Sequence, residues 1–358
     1  MLSSETRNCF LSLIRLGIGH EAYFLTKSVD WNAIEALALE HGLSAILVDG
    51  IERLPDDQRP PKMVLLQWIG EVLQNYESRY KQYQNAIGSL AGFYNQHGFK
   101  MMVLKGYGLS LNYPKPNHRP CGDIDIWLFG KQKEADALLA KEYGIEIDNE
   151  HHHHTVFEWN GFSVENHYDF LNVHHHKSNV VMEKILKDLG KDDSHYVEIE
   201  AEMVNLPSAN LHALFLLRHS MSNFASTGMQ LRQLLDWGFF VEKQGKNVDW
   251  EWLLSILKHF GMKPLFDIFN AICVEDLGFN SKIFPYVQFF PVINERVLND
   301  ILSPEFSEKE KGSFFRRAYY KYRRWKANAW KHELCYSENM SSAFWSGIKS
   351  HLLKPSSI

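Results

Sequence analysis

Apolar positions in the first hundred residues recur at steps of three and four. Leu11, Leu13, Ile14, Ile34, Leu37, Leu39, Ala45, Ile46 and Ile51 keep this spacing between Pro- and Asp-rich breaks, which predicts a helical region over residues 1–97. After the break LPDDQRPPK, the stretch from Met63 to Gln96 contains no proline. It carries Leu66, Ile69, Val72, Leu73, Tyr76, Tyr83, Ile87, Leu90 and Phe93 on the helical period, so one long helix ending near Gly98 is predicted.

From Phe99 the period shortens. Met101 to Leu104 reads as a buried strand, Lys105 to Gly108 as a turn, and Leu109 to Tyr113 as a short helix cut off by Pro114. The loop PKPNHRPCG leads to a second strand, Asp123 to Leu128. An amphipathic helix, Lys131 to Tyr143, turns Ala135, Leu138 and Leu139 inward and ends at Gly144, where GIEI starts another strand. Residues 98–205 thus form an α/β core. From about Asn210 helical spacing returns, and residues 206–358 form a C-terminal helical domain, with SPEFSEKEKGS as a linker near 303–313. The fold class is α+β, a small sheet between two helical regions.

Asn160-Gly161 sits between two alternating runs and predicts a two-residue type I′ hairpin. That turn pairs Trp159 with Phe162, Val156 with Glu165 and His154 with His167. Ser163, Glu165, His167, His154 and His152 then share one face, opposite Phe157, Phe162 and Val164. Which face of the whole sheet they occupy depends on strand order, which the pattern leaves open.

Composition changes this picture little. The chain has 358 residues, 45% of them hydrophobic, and a formal charge of −5, which disfavours nucleic-acid binding by charge alone. FFRRAYYKYRRWKANAWKHE carries seven basic residues, but Phe315, Tyr319, Tyr322, Trp325 and Ala329 step by three and four, so the aromatics read as a packing stripe and the arginines as a solvated face. Cys9, Cys121, Cys273 and Cys335 show no CxxC spacing. With no signal-like start and no apolar run of membrane-spanning length, a soluble cytoplasmic protein without a membrane partner is expected.

The chemistry concentrates in GDIDI. On a strand, Asp123 and Asp125 point to the same face while Ile124, Ile126 and Leu128 point to the other. Two carboxylates that close repel, and a divalent cation resolves the repulsion; a solvent-facing edge that happens to alternate is the plainer alternative. Hard oxygen ligands suit Mg2+, with Mn2+ as the substitute. Arg119 either grips phosphate through its planar fork or pairs with the acids. His151 to His154 read as polar residues lining a cleft or orienting Glu165, or, with His167, as a transition-metal site. Arg232 and Asp236, four apart on a helix, suggest an intrahelical pair.

VLKGYGLSLNY, HRPCGDIDIWL and FSVENHYDF, followed by RQLLDW, together resemble nucleotidyltransferases of the polymerase-beta-like superfamily. The closest pattern is that of a poorly characterised prokaryotic family with LKG, an Arg, GDIDLL and a V-(D/E)-x-H strand. The resemblance spans about residues 80–245. It implies a small mixed sheet, a metal-binding and catalytic triad of Asp123, Asp125 and Glu165, and Glu165 as base. It also implies nucleotide or phosphate contacts at Lys105, Gly106, Arg119 and His167. The activity implied is Mg2+-dependent transfer of a nucleoside monophosphate from an NTP to an unidentified acceptor. The chain departs from the superfamily in lacking Gly-Ser after the first strand: it has Lys105-Gly106-Tyr107, and Ser110 comes too late. A non-catalytic nucleotide-binding protein of the same fold is the alternative. An Asp-x-Asp glycosyltransferase is a third, though a preceding parallel sheet is expected there.

Overall fold

The computed structural model describes residues 3–21, 29–174, 176–306 and 314–341, with only the backbone described at Phe314, Phe315, Arg317 and Ala318. Helices α1 (Ser4–Gly17), α2 (Trp31–His41) and α3 (Ser44–Glu52) precede α4 (Lys62–Val72) and α5 (Arg79–Gln96). The α/β part comprises β1 (Met102–Val103), α6 (Gly106–Ser110), β2 (Ile124–Trp127), α7 (Gln132–Tyr143), β3 (His154–Trp159), β4 (Phe162–His167), α8 (Lys177–Gly190), β5 (Tyr196–Ile199) and β6 (Glu202–Asn205). Helices α9 (Ala209–Ala225), α10 (Leu231–Gln244), α11 (Trp250–His259), α12 (Lys263–Glu275), α13 (Pro291–Leu302), α14 (Phe314–Ala327) and α15 (Ala329–Cys335) follow.

The α+β class holds. Helices α4 and α5 are one continuous helix, as the unbroken period predicts, but Leu73–Ser78 between them is π-helical. The extra residue per turn there lets Glu77 reach His118, whose Nε2 lies 3.1 Å from Glu77 Oε1.

The six strands form one mixed sheet in the order β3-β4-β2-β1-β6-β5. Asn160 and Gly161 both have positive φ, 48° and 79°, as a type I′ turn requires. The hairpin register is the expected one, with His154 opposite His167, Val156 opposite Glu165 and Trp159 opposite Phe162. Strand β4 then lies parallel to β2, which places Asp125 opposite Glu165 and Trp127 opposite His167.

Alternation along the strands divides the interior. Ile124, Ile126, Phe157, Phe162 and Val164 pack with Tyr83, Ile87 and Leu90 of α5 and Ala135 and Leu139 of α7. Met102, Leu104 and Trp127 point the other way, into a larger core that includes Phe215 and Leu217 of α9 and Leu234 and Phe239 of α10. The N-terminal helices α1 to α3 belong to this second core as well. The acid-bearing face of the sheet therefore looks toward α9 and α10.

Three local expectations need correction. GIEI forms no strand: its neighbour Asp148 makes a single bridge to Val156, while Ile145 and Ile147 pack against the sheet core without a ladder. Helix α6 begins at Gly106, where a turn was expected, because the chain coils at once on leaving β1. Tyr319 and Tyr322, expected on a packed face, are 64% and 50% exposed; Tyr320 instead meets Phe306, so the inner edge of α14 lies one residue further round. The expected linker falls mostly outside the described residues, as does the Phe315 side chain.

Candidate active site

Asp125 is carried by the centre of β2, where alternation sends it to the α9/α10 side. It is 3% exposed. Lys105, at the junction of β1 and α6, places Nζ 2.7 Å from Asp125 Oδ1. His167 Nε2 lies 3.1 Å from the same oxygen and 3.5 Å from Glu165 Oε2. His154 Nδ1 is 3.8 Å from that Glu165 oxygen. One carboxylate oxygen of Asp125 is thus shared by an ammonium and an imidazole.

These contacts set the charge states. Burial opposes ionisation of Asp125, but Lys105 and His167 outweigh it and hold the carboxyl far below the usual range. Burial likewise opposes the charge on His167, yet its bonds to Asp125 and Glu165 push it up to about 9. Burial pulls His153 down to about 2, with the neighbouring His167 and His154 adding to the effect. Asp123 is raised, first by desolvation and then by the negative charges of Asp125 and Glu165.

A cavity of about 380 Å³ opens over these residues, lined by Lys105, Asp123, Asp125, Glu165 and His167 from the sheet side and by His219, Ser220, Arg232 and Asp236 from α9 and α10. All seven residues singled out in the sequence border it, Gly106 and Arg119 included. Their roles differ from one another. Asp125, Glu165 and His167 each offer a ligand atom within 4.8 Å of the others. Asp123 is exposed at the mouth and joins neither of the ligand groups found among the described residues. Both aspartates line the same cavity, but Asp123 precedes the strand proper and only Asp125 lies within the paired segment.

Arg119 pairs with neither strand acid. Its Nε and Nη2 donate to Asp236 Oδ1 and Oδ2 at 2.8 and 3.0 Å, and Tyr113 Oη donates to Oδ1 at 2.7 Å. The intrahelical Arg232–Asp236 pair is therefore replaced: Asp236 takes the buried, bidentate partner, and Arg232 Nη2 donates to Gln230 Oε1 at 3.0 Å.

Gly106 has φ +42°, and a Cβ there would stand 2.3 Å from Tyr83 Oη. That hydroxyl donates to the Asp123 carbonyl at 2.8 Å, so the glycine admits a tyrosine that fixes the entry to β2. His152, expected on the site face, sits against His174, while His153 packs edge-on to His154 and tilted to His167, with ring centroids 4.4 and 5.5 Å away. Pairing starts at His154, so strand alternation does not extend back to His152. His153 falls within the run from His151 to His154 noted in the sequence, whereas His219 and Ser220 were not noted there. The available signal was the polar run Arg218-His219-Ser220 following the apolar stretch 213–217 of α9.

Among the described residues, no helix is long and apolar enough to cross a membrane. Comparison with curated proteins and with solved structures found no match. The model of a family described as uncharacterised nucleotidyltransferase matches residues 27–277, which span α2 to α12 and every residue of the cavity. The chain belongs to that nucleotidyltransferase family.

Proposed function

We propose that the protein transfers a nucleoside monophosphate from an NTP to a hydroxyl, phosphate or protein acceptor, with Mg2+ or Mn2+ as cofactor and pyrophosphate as the leaving group. The observation that carries this reading is the pairing of Asp125 with Glu165 across parallel strands at the floor of a polar cavity.

The donor set fits a divalent ion. Asp125 and Glu165 supply hard oxygens, and the Lys105 ammonium already stands on Asp125 as a monovalent substitute. Asp125 and Glu165 would hold the ion, with Asp123 at the mouth as the third carboxylate. When bound, the ion would offset charge on the phosphates. Lys105, whose ammonium now stands on Asp125, would supply a point donor for a phosphate oxygen. Glu165, which is less buried than Asp125, serves as base toward the acceptor hydroxyl. His167 positions both carboxylates through Nε2. Arg119 acts by holding the loop ahead of β2 against α10 rather than by contacting phosphate, since its fork is filled by Asp236.

A nucleotide-binding protein without turnover is the second reading, favoured by the closure of Gly106 against Tyr83 where the superfamily has Gly-Ser. The sugar-nucleotide alternative lacks its expected sheet: the described residues before β1 are helical. A panel of NTPs labelled at the α-phosphate, incubated with Mg2+ and cell extract, tests the leading reading. Label transfer by the wild type and its loss in Asp125→Asn and Asp123→Asn support it. Equal transfer by wild type and variants overturns it, and NTP binding without pyrophosphate release favours the second reading.

A further inference from the structure

Beside the carboxylates lies a group of different chemistry. His153, His154 and His167 each present a ring nitrogen within 4.8 Å of the other two. Two of these residues carry a ring nitrogen that is buried without a hydrogen-bond partner, Nδ1 of His153 and Nδ1 of His154, although His154 is only 6% exposed. Buried imidazole nitrogens without partners cost stability unless something binds them. The hairpin turn fixes the separation of His154 and His167, which are direct cross-strand partners, and His153 follows from the residue before the strand. Two of the three residues are fixed by the sheet, and His153 joins them from the bend that leads into β3.

We propose that His153, His154 and His167 hold a transition-metal ion, of the zinc or cobalt class, distinct from the Mg2+ assigned to Asp125 and Glu165. Imidazole nitrogens select such ions, whereas Mg2+ prefers oxygen and keeps its waters. Around zinc, nitrogens at about 2.0–2.1 Å in a tetrahedron stand roughly 3.3 Å apart, so small ring rotations bring the present group to coordinating distance. Glu165 Oε2 lies 3.5 Å from His167 Nε2 and 3.8 Å from His154 Nδ1, so it marks the boundary with the carboxylate site and the fourth position is left to a water. Three imidazoles with a fourth position open to water are a complete zinc ligand set. This inference goes beyond the nucleotidyl-transfer reading: the two groups adjoin at His167, but binding of the ion to the imidazoles is measured without nucleotide turnover.

The test uses the full chain, stripped with a chelator and titrated with Co2+ in Mg2+-containing buffer. The expected result is one equivalent of bound cobalt with the intense visible absorption of four-coordination, displaced by Zn2+ and insensitive to Mg2+. The variant His153→Ala/His154→Ala, checked for fold by circular dichroism, is expected to bind at least about 100-fold more weakly, beyond the range of outer-shell changes. His151→Ala/His152→Ala is expected to bind as wild type. A weak six-coordinate spectrum, displacement by Mg2+, unchanged binding in the first variant or lost binding in the second each overturns the proposal. Should the first variant fail to fold, X-ray absorption on the zinc-loaded wild type decides: three imidazoles support the site and fewer overturn it.

Discussion

Arg119 and Asp236, 117 positions apart, form a two-pronged ion pair with bonds of 2.8 and 3.0 Å, and both side chains are buried. The pair ties the loop ahead of β2 to α10 and so holds one wall of the cavity on the other. Removing one partner strands a buried charge, which costs about 3 to 5 kcal/mol, whereas replacing both with apolar groups removes the desolvation penalty too. Asp236→Ala is therefore expected to lower unfolding free energy by that amount. Arg119→Met/Asp236→Leu should be more stable than either single variant. Urea denaturation of the four proteins in a double-mutant cycle measures this.

Lys105 competes with any divalent ion for Asp125. With its ammonium 2.7 Å from Oδ1, it must be displaced before that oxygen can take a metal. Lys105→Met is expected to bind Mg2+ more tightly than the wild type in the absence of nucleotide, by about tenfold, equivalent to 1.4 kcal/mol. Nucleotide affinity should fall in the same variant, because a phosphate donor is gone. Calorimetric titration with Mg2+ and then with NTP reads both effects; a weaker Mg2+ site in Lys105→Met would remove the competition model.

What the sequence disclosed followed the range of its signals. Asn160-Gly161 set the register of β3 and β4 to the residue, because a type I′ turn admits one pairing, and so Glu165 and His167 were found on one face. The parallel neighbour β2 is brought in by the chain running through α7, so the meeting of Asp125 with Glu165 rested on resemblance alone. The i,i+4 rule offered Arg232 to Asp236 because it sees only one helix. Arg119 won since its planar fork takes both carboxylate oxygens of the buried Asp236, which a helical neighbour four residues away does not. Gly106 was read for the ligand it might admit, whereas the space is taken by Tyr83, a side chain 23 positions earlier. Periodicity placed Tyr83 on α5 and gave no sign of what its hydroxyl would touch.

His212 makes the fold sensitive to acid. It is 6% exposed, its Nε2 has no partner, and it packs edge-on against Phe240 with ring centroids 5.4 Å apart. Burial pulls it down to about 4 from 6.5, Asp236 working weakly the other way. A histidine whose folded value is depressed keeps the protein at full stability above the unfolded value, near pH 6.5. Stability is then lost as pH falls toward 4, by up to about 3 kcal/mol. His212→Leu removes the proton-binding group and the orphaned nitrogen while keeping the volume apolar. Between pH 6.5 and 4 its unfolding free energy should fall less than that of the wild type, with little change at pH 7.5. Urea melts across that window would show parallel curves if His212 carried no such linkage.

Gly106 and Tyr83 are expected to behave as one unit. An alanine at 106 meets two penalties: φ of +42°, costing about 1 to 2 kcal/mol for a residue with a Cβ, and an approach of 2.3 Å to Tyr83 Oη that forces the tyrosine away. The second penalty also breaks the 2.8 Å bond from Tyr83 to the Asp123 carbonyl, loosening the start of β2. Tyr83→Phe alone removes that bond at a cost of about 1 kcal/mol. In Gly106→Ala/Tyr83→Phe the nearest ring atom, Cζ, stands 3.4 Å from the new Cβ, an ordinary contact, so the clash disappears while the backbone strain stays. The double variant should therefore be less destabilised than the sum of the singles. If the strained φ alone made alanine intolerable, the two losses would simply add, and thermal denaturation of the four proteins separates the cases.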